Sequence, residues 1–125
     1  MTKKRSLQQQ DRISTFLPLR PVEFYILLAL AEHPTHGYGI VVATEERSGG
    51  RIRLDTGTLY RALDRLRAAG LLAEGEAAAQ DDSRRRCLYH LTVLGREVAA
   101  AEAGRLAGLV RDARSTALLD DVQGA

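Results

Sequence analysis

Apolar positions along the chain change period several times. Residues 22–32 are apolar almost throughout, with Phe24, Tyr25, Ile26, Leu27, Leu28, Ala29 and Leu30 leaving hardly any polar face. That pattern predicts a helix enclosed on most sides, started by Pro21 and ended by His33-Pro34. A second helix is expected from Thr35 or His36 to Arg47, closed by Gly49-Gly50. Gly37 and Gly39 would cost up to about 1 kcal/mol each inside that helix relative to Ala. They fit its first turn, where another segment would come close to the backbone. A third helix is predicted from about Gly57 to Ala69. Leu59, Leu63 and Leu66 form its i, i+4, i+7 stripe, and Arg61, Asp64, Arg65 and Ala68 fall on the far side. Asp55 or Thr56 can cap its start and Gly70 can close it in the left-handed conformation.

Beyond Gly70 the period becomes two. Residues 71–77 and 85–92 read as the strands of a hairpin, with Cys87, Tyr89 and Leu91 on one face of the second strand and Arg86, Leu88 and His90 on the other. The connecting residues 78–84 contain no tight-turn pair, so a long tip that orders on its target is expected. Arg51-Ile52-Arg53-Leu54 also alternates and is expected to add a short strand to this hairpin. From the capping residue Thr92 a last helix carries a stripe of Val98, Leu106, Leu109, Val110, Ala113 and Ala117, slimmed by small residues at 99–101, 103 and 107. Two surfaces could cover this stripe: a second copy of the chain, or the helix at 22–32. The expected fold is mainly α with a small β-hairpin, a winged helix-turn-helix domain at 18–93 with a C-terminal dimerisation helix and tail at 94–125. An N-terminal arm or short helix, residues 1–17, precedes it.

Length changes this picture little: 125 residues and 45% hydrophobic content suffice for one ordinary core. Net charge is only +2, but its distribution is uneven. Residues 47–67 hold six Arg against Asp55 and Asp64, whereas residues 97–121 hold five acids against three Arg. Only Lys3 and Lys4 among the 18 basic residues are lysines. Forked guanidinium groups suit phosphates and guanine edges, and a GC-rich genome would account for the bias equally well. Cys87 is alone, which excludes an intramolecular disulfide and a cysteine-based zinc site. No apolar run approaches the roughly 20 residues of a membrane span, and the first 17 residues have no signal-peptide core. A cytoplasmic protein without membrane association is expected.

Four segments in order resemble the PadR family of bacterial transcriptional regulators. Glu23-Phe24-Tyr25-Ile26-Leu27-Leu28-Ala29-Leu30 is similar to that family's first helix, and His36-Gly37-Tyr38-Gly39-Ile40 to its His-Gly-Tyr-x-Ile signature. Gly57-Thr58-Leu59-Tyr60-Arg61-Ala62-Leu63 resembles its recognition segment, and Arg85-Arg86-x-x-Tyr89-x-Leu91-Thr92-x-x-Gly95 its wing exit. The resemblance spans about residues 19–97. It implies a winged-helix homodimer of the short-tailed branch on a palindromic double-stranded DNA operator, usually a repressor relieved by a small-molecule effector. There are two departures: the chain has no Trp for a tryptophan-lined drug pore, and Asp55-Thr56 stands where Ser-Pro is usual.

A recognition helix needs short polar groups near its start for phosphates and longer donors further along for base edges. Thr56, Thr58 and Tyr60 are candidates for the first role, and Arg61 and Arg65, four apart, for the second, with Arg61 the expected base reader. Arg84, Arg85 and Arg86 at the hairpin tip are read as phosphate contacts, with a merely solvated loop, given Asp81-Asp82 beside them, as the alternative. His36 and Tyr38 could donate to phosphate at the positive end of their helix, and Tyr38 could equally pack. His33, His36 and His90 have no metal-ligand spacing, Cys87 has no catalytic partner motif, and no phosphate loop is present. Neither an enzyme nor a cofactor or metal site is expected. The rival reading is a winged-helix module that binds protein or RNA without operator recognition.

Overall fold

The computed structural model describes residues 3–75 and 87–120, with side chains from Leu7 onward. The element order is α1 (Lys3–Ser14), α2 (Pro21–Glu32), α3 (Gly37–Arg47), α4 (Thr56–Ala68), β1 (Leu72–Glu74), β2 (Tyr89–Leu91) and α5 (Val93–Ser115). The nearly all-apolar α2 lies at the centre, with Ile26, Leu27, Ala29 and Leu30 buried. Around it close Ile40 of α3, Leu59, Ala62, Leu63 and Leu66 of α4, Leu71 and Leu72, Tyr89, and Val98 of α5. The leucine stripe of α4 therefore pins that helix to the core, each buried leucine contributing about 1.5–3 kcal/mol. The opposite side of α4 is left to solvent.

Asp55 caps α4, its Oδ1 accepting from the Thr58 N–H at 2.7 Å. Gly70 stops it with φ 82°, a left-handed conformation that a side chain would strain. The turn delivers the chain straight into β1, which pairs antiparallel with β2 in the register Leu72↔Leu91, Ala73↔His90 and Glu74↔Tyr89. Residues 76–86, including Arg84, Arg85, Arg86 and the expected tip, lie outside the described residues.

The expected strand at Arg51-Ile52-Arg53-Leu54 does not form. Those residues are tied to the end of α3 instead, with the Ile52 N–H donating to Ser48 Oγ at 2.9 Å and the Arg51 N–H to the Ser48 carbonyl at 3.2 Å. The partner of the hairpin is Thr35, which exchanges backbone hydrogen bonds of 3.1 and 2.9 Å with Tyr89. Thr35 side-chain atoms also occupy the space that a Cβ on Gly39 would need, which explains the glycine there.

The last helix divides in two. Its first half folds back on α1 and α2, capped by Thr92 Oγ1, which accepts from the Gly95 N–H at 2.9 Å and donates to the Gly70 carbonyl at 2.6 Å. Val98 is 0% exposed in this core and so is corrected from dimer stripe to core residue. Ala117 is also removed from the stripe: α5 ends at Ser115, and Ala117 follows it with φ 66°. The N-terminal segment is the helix α1, joined to α5 by Gln9 Nε2 donating to Glu97 Oε1 at 2.8 Å, and Ile13, Phe16 and Leu17 pack on the core.

Candidate nucleic-acid interface

Packing of α3 against α4 brings their N-terminal ends together. Tyr60 Oη lies 2.9 Å from where a Cβ on Gly37 would sit, and Leu59 Cδ2 lies at 3.3 Å, so a side chain at 37 would require the Tyr60 ring and the Leu59 tip to give way. The notch between the two helices is lined by Tyr38, Val41, Leu54, Thr56, Leu59 and Tyr60. Tyr38 is 78% exposed at its rim, and exposed His36 occupies the N-cap of α3 with no side-chain cap bond. Exposed Thr56 opens α4, with Thr58 half-buried behind it. Two positive helix ends thus share one face with hydroxyl and imidazole groups, an arrangement suited to anions. Asp55 opposes it locally: its carboxyl is held below the usual range by the Thr58 hydrogen bonds, with further help from the Arg61 charge.

The three arginines of α4 have different surroundings. Arg61 is exposed, and its Nη1 reaches back over the first turn to 3.1 Å from where a Gly57 Cβ would be. Arg67 turns to one flank, with Nη1 3.6 Å from Glu74 on β1 and Nη2 3.7 Å from Asp64. Arg65 turns to the other flank, its Nε donating to Glu23 Oε2 of α2 at 3.0 Å. The sequence put Arg61 and Arg65 side by side; the structure sends Arg65 into an ion pair with its own fold. Helical spacing could not show this, because Glu23 is 42 positions away.

Away from this notch, sharing none of its lining residues, α2 and α5 leave a mostly apolar groove of about 470 Å³ lined by Phe24, Tyr25, Leu28 and Leu106. Its floor holds Glu102, 2% exposed, with two 2.8 Å hydrogen bonds from Arg105. Those bonds, foremost among the causes, hold the Glu102 carboxyl below its ordinary range against the opposing effect of burial. Past the groove α5 presents Leu109 at 53% and Val110 at 40% exposure, with Ala113 half-buried. The sequence pointed to the stripe but missed its continuation over Phe24, Tyr25 and Leu28. The signal was available in a helix apolar on every face, which calls for cover on every face.

Among the described residues, no cluster of three or more His, Cys, Asp or Glu could hold a metal, and no helix is long and apolar enough to cross a membrane. A three-helix core with the pinned α4, a two-stranded hairpin and a trailing helix defines a winged helix-turn-helix fold. The sequence profile described as "Transcriptional regulator PadR-like family" matches residues 26–101, more than half the chain. The chain belongs to this PadR family, whose members are transcriptional regulators and not enzymes.

Among its relatives, an uncharacterized 37.1 kDa protein in transposon TN4556 of Streptomyces fradiae is 38% identical over 100 residues, 80% of this chain. The chain spans 27% of that protein's length. The transcriptional regulator Rv3488 of Mycobacterium tuberculosis is 34% identical over 91 residues, covering 73% of this chain and 80% of the relative. A PadR family transcription regulator from Clostridium difficile R20291 has the same fold, with a TM-score of 0.62 at 23% identity over 76% of this chain and 96% of its own.

Proposed function

We propose that this chain is a cytoplasmic homodimeric repressor that binds a palindromic duplex operator with α4 in the major groove. The observation that carries the reading is the position of Arg61. It stands on the solvent side of a helix pinned by its leucines; its charge acts on the capping Asp55, but no salt bridge within 4.0 Å ties it to a carboxylate among the described residues. Arg61 would read guanine through its forked donors. His36, Tyr38, Thr56, Thr58 and Tyr60 would hold phosphates at the paired helix ends, and Arg84, Arg85 and Arg86 would follow the backbone or minor groove from the wing.

Leu106, Leu109, Val110 and Ala113 would form the dimer contact, extended by the open flank of α2. Two heads joined in this way can meet half-sites about 34–36 Å apart. A second copy laid over α5 would also enclose the groove at Phe24 and Tyr25, giving a small-molecule effector a cavity through which to relieve repression. Selection of bound sequences from a random duplex pool tests the proposal. A palindromic consensus supports it. Recovery of no consensus, with binding insensitive to salt, would favour a protein- or RNA-binding module instead.

A further inference from the structure

We infer that Glu23 is a positioning residue for operator recognition: it withholds Arg65 from the DNA and uses it as a strut that trims the roll of α4. This rests on the DNA-binding reading above and goes beyond it, because it divides three similar arginines into one reader and two supports.

Geometry distinguishes Arg65 from Arg61. The Nε–Oε2 contact is 3.0 Å, and Glu23 is only 13% exposed while Arg65 is 45% exposed. A carboxylate so enclosed is poorly screened and would be costly to leave alone. Glu23 also sits in the first turn of α2, where the positive helix end favours its charge. Arg65 and Glu23 border a shallow cleft together with Phe16, Leu19 and Leu66, so the pair sits beside apolar surface and not in open solvent. On the opposite flank Arg67 reaches Glu74 of β1. The recognition helix is thus tied on one side to the central helix and on the other to the wing. The buried stripe sets which face of α4 meets the core, and the Glu23–Arg65 pair, with the weaker exposed Arg67–Glu74 contact, trims the remaining freedom of roll about that setting. A rotation of α4 would move the Arg61 head by several ångströms at the end of its long stem, enough to lose a bidentate guanine contact.

The test uses the full chain, its selected operator duplex and a mixed-sequence duplex, each titrated over a salt series. The variants are Arg65→Ala, Glu23→Gln and the double variant, with circular dichroism confirming the fold of each. If the strut exists, Arg65→Ala leaves the log–log salt slope at the wild-type value, because no phosphate contact is lost. Glu23→Gln frees a cation, so the slope steepens by about 0.9. Its preference for operator over mixed duplex falls roughly fivefold or more, part of what a bidentate arginine–guanine pair supplies. The double variant returns the slope to wild type while the preference stays low.

A merely structural role would not move the salt slope in this crossed pattern. Arg65→Ala lowering the slope by about 0.9, or changing preference at one base position only, would show Arg65 on the DNA and overturn the inference. So would a Glu23→Gln protein with unchanged slope and preference. Wild-type protein with neither preference nor salt dependence would remove the DNA-binding reading itself, and this inference with it.

Discussion

Replacing Gly95 by alanine should destabilise the protein even though alanine is the better helix former. Gly95 is in the first turn of α5, where the helix start crosses the turn leaving α4. A Cβ there would overlap the Leu71 carbonyl oxygen and lie 2.8 Å from its carbon and 3.2 Å from its Cα. Carbon atoms prefer about 3.5 Å, so a rigid piece of main chain must retreat. Three hydrogen bonds hold that joint: Thr92 N–H to the Leu71 carbonyl at 3.2 Å, Thr92 Oγ1 to the Gly70 carbonyl at 2.6 Å, and Gly95 N–H to Thr92 Oγ1 at 2.9 Å. Losing them costs about 1 kcal/mol each, against a helix-propensity gain of about 0.5–1 kcal/mol. The net expectation is a loss of about 2 kcal/mol, or roughly 8 °C in Tm for a domain of this size. Gly104, on the same helix, has nothing within 4 Å of its Cβ position, so Gly104→Ala should gain about 0.5–1 kcal/mol from propensity alone. Urea and thermal unfolding of the two variants measure both signs. A Gly95→Ala protein as stable as wild type would refute the close approach.

Arg61→Ala should relax preference at one operator position by about 1–3 kcal/mol, read by repeating the duplex selection, whereas Arg85→Ala should weaken all duplexes alike and flatten the salt slope by about 0.9. Leu109→Asp with Val110→Asp should yield a folded monomer with poor operator affinity by sedimentation, since both side chains are exposed in the single chain; a persisting dimer would sink the α5 interface. Glu102 has a carboxyl lowered by Arg105, so its stabilisation is complete above the ordinary glutamate value of about 4.3 and is lost as pH falls through the lower folded value. Glu102→Gln should therefore flatten the acid side of a urea-midpoint profile, and an unchanged profile would contradict the pairing.

The parts legible in the sequence were those set by neighbours within a turn or two. The α4 stripe, its Asp55 cap and its Gly70 stop are local patterns, and the structure keeps all three. Thr92 was legible as a cap for the same reason. What went unread depends on partners far along the chain. Alternation at residues 51–54 met the pattern for a strand, but a strand needs an open neighbour, and Thr35 holds the free edge of Tyr89. Val98 shared the period of Leu109 and Val110, yet α5 outruns the core it packs on, so one continuous stripe is covered at its start and open further along. Arg65 shows the limit most clearly. Helix spacing defines which way a side chain leaves the backbone, and the Arg65 stem leaves toward the α2 flank, where only the fold brings Glu23 within reach. If Glu23 withholds Arg65 as proposed, an arginine count on α4 overstates its DNA contacts by the arginines already paired within the fold. That difference is what a salt slope can measure.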